Sequence, residues 1–129
     1  MTLDNISIGC VVFLDPETLR ANDIFCEIRG VHPFVCISIM DGEALWVALS
    51  SKPKMGWRHR IPVPPAHLRG TKRWVTTPCF IYHQSDRWVI PHWLIQAASM
   101  HRGWQPEQLN FITPDGVALV QDSIWPIAG

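Results

Sequence analysis

A histidine followed by a proline, His32-Pro33, stands directly before an apolar, β-branched run that predicts a buried strand. An imidazole titrates near neutral pH and can therefore pass a proton in either direction. The proline ring restricts the backbone that presents the imidazole. His32 is thus a candidate general acid or base, whereas the alternative is a surface or hydrogen-bonded structural histidine.

Two hydroxyls and an ammonium group occur together in Ser50-Ser51-Lys52, at the end of another predicted strand. Such donors can hold a phosphate group. Ser50, Ser51 and Lys52 are therefore candidate phosphate ligands. The alternative is an ordinary polar strand end.

Tryptophan stands beside arginine at three places: Trp57-Arg58, Arg73-Trp74 and Arg87-Trp88. Such pairs hold single-stranded nucleic acid, because cations follow the phosphate backbone while rings stack on unpaired bases. With seven tryptophans in the chain, most must fill the core. Trp57 is the strongest binding candidate, because it lies in a segment rich in proline and glycine and not in a predicted strand.

The formal net charge is zero, yet the charges are segregated along the chain. No acidic residue lies between Glu43 and Asp86, and this interval holds seven of the eleven lysines and arginines: Lys52, Lys54, Arg58, Arg60, Arg69, Lys72 and Arg73. A basic middle beside an acidic N-terminal quarter predicts one positive face on a neutral protein. The alternative is a solvated basic loop.

Several classes of protein are disfavoured by what the sequence lacks. It has no glycine-rich phosphate loop, no G-x-S-x-G elbow and no H-E-x-x-H helix. The four cysteines show no C-x-x-C spacing, so we expect buried thiols and neither a metal site nor disulfides. No leader pattern and no apolar run near twenty residues occurs, so we expect a soluble, cytoplasmic, single-domain protein over residues 1–129.

Two strand-like runs joined by Asp41-Gly42 are the clearest structural signal. Residues 33–40 and 43–51 predict an antiparallel hairpin with a tight primed turn. Residues 8–14 predict a further strand. The other predictions for this half are a loop or short helix over 16–28 that continues into a strand at 24–28, and a basic loop over 52–70 with an edge strand at 60–63.

The second half of the chain predicts strand, then helix. Residues 72–83 resume β character, and Pro91 with a following run of helix formers and Gly103 predicts one short helix. A second helical turn is expected at 105–109, and a strand or an arm at 116–127. The sum is a mainly β fold with a short C-terminal helix, typical of a small barrel and not of a parallel α/β sheet.

In their order these features resemble the PemK/MazF family of toxin endoribonucleases, which are small SH3-like barrels that dimerise. That family opens with a glycine and an apolar strand, similar to "IGCVVFL", and then has an Arg-Pro before a strand, where this chain has "HPFVCIS". Its next strand ends in a segment that contains threonine, similar to "WVALSSKP", and a basic loop follows, similar to "MGWRHRIPV". The later strand and helix resemble "CFIYHQSDRWVIPHWLI", so the resemblance covers about residues 8–95.

The resemblance implies a catalytic pair and an RNA-binding surface. The arginine of the family's Arg-Pro falls on His32 here, and its threonine falls on Ser50, with Ser51 as the adjacent alternative. Both positions depart from the family, although histidine is the better acid or base near neutral pH and serine retains a hydroxyl. The RNA-binding residues implied are Lys52, Lys54, Trp57, Arg58, Arg60 and Arg87.

The family's activity would make this chain the toxin of a type II toxin–antitoxin system. It would cut single-stranded RNA by attack of the ribose 2′-hydroxyl, without a metal or another cofactor. The partners implied are a cognate antitoxin protein and a second copy of the chain in a homodimer. The alternatives are a catalytically inactive barrel that binds nucleic acid, and an inhibitor or immunity-like protein that uses exposed tryptophans to bind a protein.

Overall fold

The hairpin of β2 (His32–Met40) and β3 (Glu43–Ser50) is the centre of the computed structural model, which describes residues 6–101 and 109–124. The pairing of Met40 with Glu43 leaves Asp41-Gly42 as a two-residue turn, so the predicted hairpin is confirmed. The predicted primed turn is wrong, because the positive φ falls at Gly42 (75°) and not at Asp41. This is the pattern of a type II turn.

The other elements flank this hairpin along the chain. The strands are β1 (Cys10–Leu14), β4 (Lys54–Met55), β5 (Arg58–His59), β6 (Pro62–Val63), β7 (Leu68–Arg69), β8 (Cys79–Ile81), β9 (Arg87–Pro91) and β10 (Asn110–Ile112). The helices are α1 (Pro16–Ala21), α2 (Lys72–Thr76), α3 (His92–Ala98) and α4 (Pro114–Ser123), with a 3-10 turn over Pro65–His67.

The described strands form one large curled sheet and one small hairpin. The order in the large sheet is β6-β8-β3-β2-β1-β10-β7, β9 also pairs with β3, and β4 and β5 pair with each other. The two outermost strands, β6 and β7, are separated along the chain only by residues 64–67. A connection that short obliges the sheet to curl toward itself.

The fold is mainly β, with 38% strand and 28% helix, a half-barrel sheet and a C-terminal helix, so the predicted fold class is confirmed. Both faces of the sheet are covered. Phe34 and Trp46 project from one face into a core shared with α1 and α3. Val35 and Val47 project from the other face into a core shared with α2 and α4. Alternate residues of β2 and β3 therefore serve opposite layers.

Three element predictions are corrected by local hydrogen bonds. Residues 72–76 are helical instead of extended, because Thr71 caps α2 by accepting from the Trp74 N–H. Residues 24–28 are not a strand, and the Arg20 guanidinium donates to the Cys26 and Ile28 carbonyls in that segment. The predicted strand or arm at 116–127 is a helix as far as Ser123.

The start signal of that last helix was present in the sequence. Thr113 accepts from the Gly116 N–H and Pro114 occupies the first turn, which is how many helices begin. The predictions at 8–14 and from Pro91 onward are confirmed by β1 and α3. The turn predicted at 105–109 falls outside the described residues, except Leu109.

Gly9 allows β1 and β10 to meet. Its φ is +92°, its N–H donates to the Cys36 carbonyl, and its carbonyl accepts from the Ile112 N–H. A Cβ at this position would lie 2.5 Å from the Ile112 carbonyl oxygen. Gly9 is therefore required both by its backbone conformation and by the close approach of the neighbouring strand.

We predict that Gly9→Ala lowers the free energy of unfolding by about 3 kcal/mol, because left-handed strain and a backbone collision add together. Gly42→Ala is the matched control: its φ is also positive, but a Cβ there meets nothing within 4 Å. It should cost only about 1 kcal/mol, from strain alone. Urea unfolding measures both, and equal losses would contradict the role given to the contact with Ile112.

Candidate active site

Three polar or aromatic side chains meet at one end of the central hairpin. His32 is the first residue of β2, Ser50 is the last residue of β3, and Tyr82 follows β8, which pairs with the end of β3. The Tyr82 N–H donates to the Ala48 carbonyl (2.9 Å), which holds that residue against β3. The end of the sheet therefore gathers groups that are up to fifty residues apart in the sequence.

Arg60 reaches this cluster from the basic segment. Its Nη1 donates to Ser50 Oγ (2.7 Å) and to the Lys52 carbonyl (3.3 Å), and its Nε donates to the Tyr82 carbonyl (3.0 Å). Its guanidinium carbon lies 4.4 Å from the centroid of the Tyr82 ring, a cation–π contact. No carboxylate of the described residues pairs with Arg60, and its Nη2 forms no hydrogen bond within that part of the chain.

The Ser50 side chain is buried, 6% exposed, and its hydroxyl oxygen already accepts two hydrogen bonds. Its oxygen accepts from the Lys52 N–H (3.1 Å) and from Arg60 Nη1, and a hydroxyl oxygen has two lone pairs. Both acceptor sites are therefore in use. The remaining capacity of Ser50 is its O–H, which can donate to an acceptor that approaches from outside.

The tautomer of His32 follows from one contact. Nδ1 lies 3.1 Å from the Gly30 carbonyl oxygen, and a carbonyl can only accept. Nδ1 therefore carries the hydrogen, and in the neutral ring Nε2 has the lone pair of a base. The ring packs edge-on against Tyr82, with centroids 5.4 Å apart, which fixes its plane.

Tyr82 is the residue that sequence reasoning missed. It contacts the His32 ring at one place and the Arg60 guanidinium at another, so it sets the positions of both. The chain has one tyrosine, but it lies within an apolar run that predicts a strand and gave no sign of a site. Only the pairing of β8 with β3 brings it there.

The other predicted RNA-binding residues are divided between two places. Lys54, Trp57 and Arg58 belong to the β4–β5 hairpin, which is exposed throughout. Trp57 is 83% exposed, and the Arg58 guanidinium lies 5.3 Å from its ring centroid. The Arg60 N–H donates to the Pro53 carbonyl and so closes the base of the hairpin, and this ring-and-cation pair projects from the segment that carries Arg60.

Within the described residues, neither Ser51 nor Lys52 joins the cluster through its side chain. Lys52 contributes its backbone N–H and carbonyl, and its side chain is exposed. Arg87 pairs with Val47 in β9, whereas its neighbour Trp88 packs against Phe34. By strand alternation Arg87 therefore projects from the sheet face opposite to that of Phe34.

A cavity of about 560 Å³ opens beside the cluster. Its lining combines an apolar wall with a few polar groups and includes Phe13, Pro33, Leu49, Ser50, Ser51, Thr71, Arg73, Trp74, Asn110 and His101. Thr71 and Asn110 escaped sequence reasoning, because they are far apart in the chain and carry no motif. Cys79 also lines the cavity, and burial raises the pKa of its thiol to about 12, so it is not a thiolate nucleophile.

Comparison with known proteins adds no assignment: no family model, no curated protein and no solved structure matches the chain. Among the described residues, no group of three or more histidines, cysteines, aspartates or glutamates is placed to hold a metal ion. None of the helices within residues 6–101 and 109–124 is long and apolar enough to cross a membrane.

His101, on the cavity wall, makes stability depend on pH. Its Nε2 accepts from the Phe13 N–H (2.9 Å), which requires an unprotonated Nε2, and burial lowers its pKa to about 4. An unfolded histidine takes up a proton below about pH 6.5. The unfolded state therefore binds more protons between pH 6.5 and 4.

We predict that the free energy of unfolding falls by up to about 3 kcal/mol from this group as the pH drops from 6.5 to 4. His101→Gln should flatten this part of the profile, because its amide oxygen can accept from the Phe13 N–H without titrating. Denaturant unfolding at a series of pH values gives the difference between the two proteins. An identical slope in both would contradict the assignment to His101.

Proposed function

We propose that this protein is an endoribonuclease that cleaves single-stranded RNA by attack of a ribose 2′-hydroxyl on the adjacent phosphate. The observation that carries the proposal is a pair of donors at the end of β3, the Ser50 O–H and Arg60 Nη2, that have no acceptor among the described residues. Ser50 has only its O–H left to donate, and Arg60 keeps its Nη2 hydrogens for an outside group. Donors of this kind, fixed by other bonds and lacking a carboxylate, suit an anionic phosphate.

His32 supplies the base in this proposal. Its Nε2 takes the proton of the 2′-hydroxyl while the 2′-oxygen forms a bond to phosphorus. The bond from phosphorus to the 5′-oxygen breaks, and that oxygen takes a proton from water. Ser50 and Arg60 stabilise the charge that develops on the non-bridging oxygens. The products are a 2′,3′-cyclic phosphate and a 5′-hydroxyl.

The β4–β5 hairpin provides an RNA-binding surface next to this centre. Its cations can follow the backbone while Trp57 stacks on a base. Lys52, exposed at the start of the hairpin segment, adds a further positive charge. The lack of acidic residues between Glu43 and Asp86 keeps the local potential positive, which supports an RNA substrate.

The biological setting that we propose follows the PemK/MazF resemblance: a cytoplasmic toxin that acts as a homodimer and is neutralised by an antitoxin encoded beside it. A disordered antitoxin segment would compete with RNA for the positive hairpin. The resemblance and the charge distribution support this setting.

We predict that the protein cuts a long single-stranded RNA in excess chelator and leaves cyclic phosphate ends. His32→Ala should slow cleavage about 100-fold, because it removes the base. Ser50→Ala and Arg60→Lys should each slow it by a comparable factor, because each removes a donor to the phosphate. Mapping of fragment ends at matched protein concentrations measures all four proteins.

The matched controls are Ser38→Ala, a serine earlier in the same hairpin, and Arg69→Lys, an arginine on β7 that donates to the Ala66 and Leu68 carbonyls. Both should retain full activity. Cleavage that survives in the His32 and Ser50 variants would belong to a contaminant or to another site, and the proposal would be wrong.

Binding to an uncleavable RNA with 2′-deoxy positions should weaken about tenfold in Trp57→Ala, because one stacked base is lost. Trp93→Ala is the matched control, since Trp93 on α3 is 57% exposed but lies outside the basic segment. Titrations at several salt concentrations should also show affinity that falls as salt rises. Equal losses in the two variants, or no dependence on salt, would contradict an RNA-binding hairpin.

The second candidate is a module that binds nucleic acid without cleaving it. The departure of His32 and Ser50 from the family's arginine and threonine favours it, while the exposed Trp57-Arg58 pair remains in place. Salt-dependent binding without any cyclic phosphate product would decide for this candidate. Absence of RNA binding would favour the protein-directed inhibitor instead.

A further inference from the structure

The cavity and the proposed catalytic cluster share the end of β3 but lie on opposite sides of the sheet. Val31 and Pro33 line the cavity, while His32 between them faces Tyr82. Likewise Leu49 and Ser51 line the cavity, and Ser50 both lines it and binds Arg60. A ligand held at Ser50 can therefore extend past the strand end into the cavity.

The side-chain amide of Asn110, on the cavity wall, has a fixed orientation. Asn110 is only 4% exposed, and its amide oxygen accepts from the Thr71 N–H (3.0 Å) and from Thr71 Oγ1 (3.2 Å). A backbone N–H can only donate, so the oxygen must face Thr71 and the NH₂ group must face away from that N–H. That NH₂ forms no hydrogen bond with any of the described residues, and Asn110 is part of the cavity lining.

The chain is shaped to keep Asn110 in this position. Gly70 has a φ of +139°, and a Cβ at that residue would collide with the Asn110 amide oxygen. Thr71 also caps α2, so the same hydroxyl joins the helix to the asparagine. The donor is therefore pre-positioned rather than mobile, as specific recognition requires.

The rest of the cavity suits a flat, mostly apolar ring. The indole of Trp74 is held by its Nε1–H, which donates to the Phe111 carbonyl, and Leu49 and Pro33 add apolar surface. The volume lies within the range of small-molecule sites. Arg73 on the lining supplies a cation for a second phosphate.

We propose that this cavity receives one unstacked base of the RNA, next to the phosphate held by Ser50 and Arg60, and that the Asn110 NH₂ donates to a carbonyl oxygen of that base. The inference rests on the proposed function, because it is the phosphate at Ser50 that places the base. Guanine, uracil and cytosine have such an oxygen and adenine does not. The cavity therefore disfavours adenine at the cleavage site.

The test measures binding separately from cleavage. The four nucleoside 3′-monophosphates are titrated into the wild type and into His32→Ala, with calorimetry and the NMR signals of the Asn110 side-chain amide as readouts. The three carbonyl-containing nucleotides should bind about tenfold more tightly than the adenine nucleotide and shift those signals. Equal affinities, or shifts elsewhere only, would overturn the inference.

Asn110→Asp tests the donor itself. An aspartate oxygen can still accept from Thr71, but the NH₂ is lost, so the preference against adenine should disappear. Gln96→Glu, an exposed site on α3, makes the same change of charge and should keep the preference. Thr77→Trp, which fills the cavity from its half-exposed rim, should abolish nucleotide binding even if the aspartate variant does not fold.

The two proposals can fail separately. Nucleotides that bind with shifts at Asn110, in a protein that never cuts RNA, would remove the catalytic function and leave the base site. RNA cleavage whose base preference is the same in the wild type and in both cavity variants would leave the catalytic function and remove the base site.

Discussion

The Arg60 guanidinium is the contact on which the proposed site depends. It lies over Tyr82, donates to Ser50 and to the Tyr82 and Lys52 carbonyls, and so ties the basic hairpin to the end of the sheet. Carbonyls, a hydroxyl and an aromatic face satisfy its geometry, and no carboxylate within residues 6–101 and 109–124 pairs with its positive charge. A charge kept in this way is available to an anion, whereas a carboxylate partner would have neutralised it. The same contacts orient Ser50, so one arginine positions the two donors that the proposed function assigns to the phosphate.

The end of β3 serves two layers of the molecule at once. Strand alternation sends Ala48 toward one core and Leu49 toward the other, and at the open end of the strand the two faces meet at Ser50. This is why the proposed catalytic cluster and a cavity on opposite faces can share one residue. The curl of the sheet keeps these two surfaces in place. So do two close contacts that only glycine allows, between Gly9 and Ile112 and between Gly70 and Asn110.

The sequence predicted elements best where one local signal was strong. The hairpin around Asp41-Gly42 was predictable from a turn dipeptide between two strand-like runs, although the turn type was wrong. The helix after Pro91 was predictable from a proline followed by helix formers. Residues 72–76 form a helix in spite of their β propensity. The Thr71 cap satisfies the start of this helix, and the propensity for strand is weak by comparison. At residues 24–28 the Cys26 and Ile28 carbonyls accept hydrogen bonds from Arg20 and not from a neighbouring strand.

The sequence by itself determined the residue types of the candidate site: the His32-Pro33 entry to a strand, the hydroxyls at Ser50, and a basic segment without acidic neighbours. These are properties of short stretches, and local chemistry suffices to find them. Only the tertiary structure decided that Arg60 binds Ser50, that Tyr82 lies against His32, and that Asn110 binds Thr71 on the wall of a cavity. Those contacts come from strand pairing between distant segments, and no local pattern encodes which distant residue will face another.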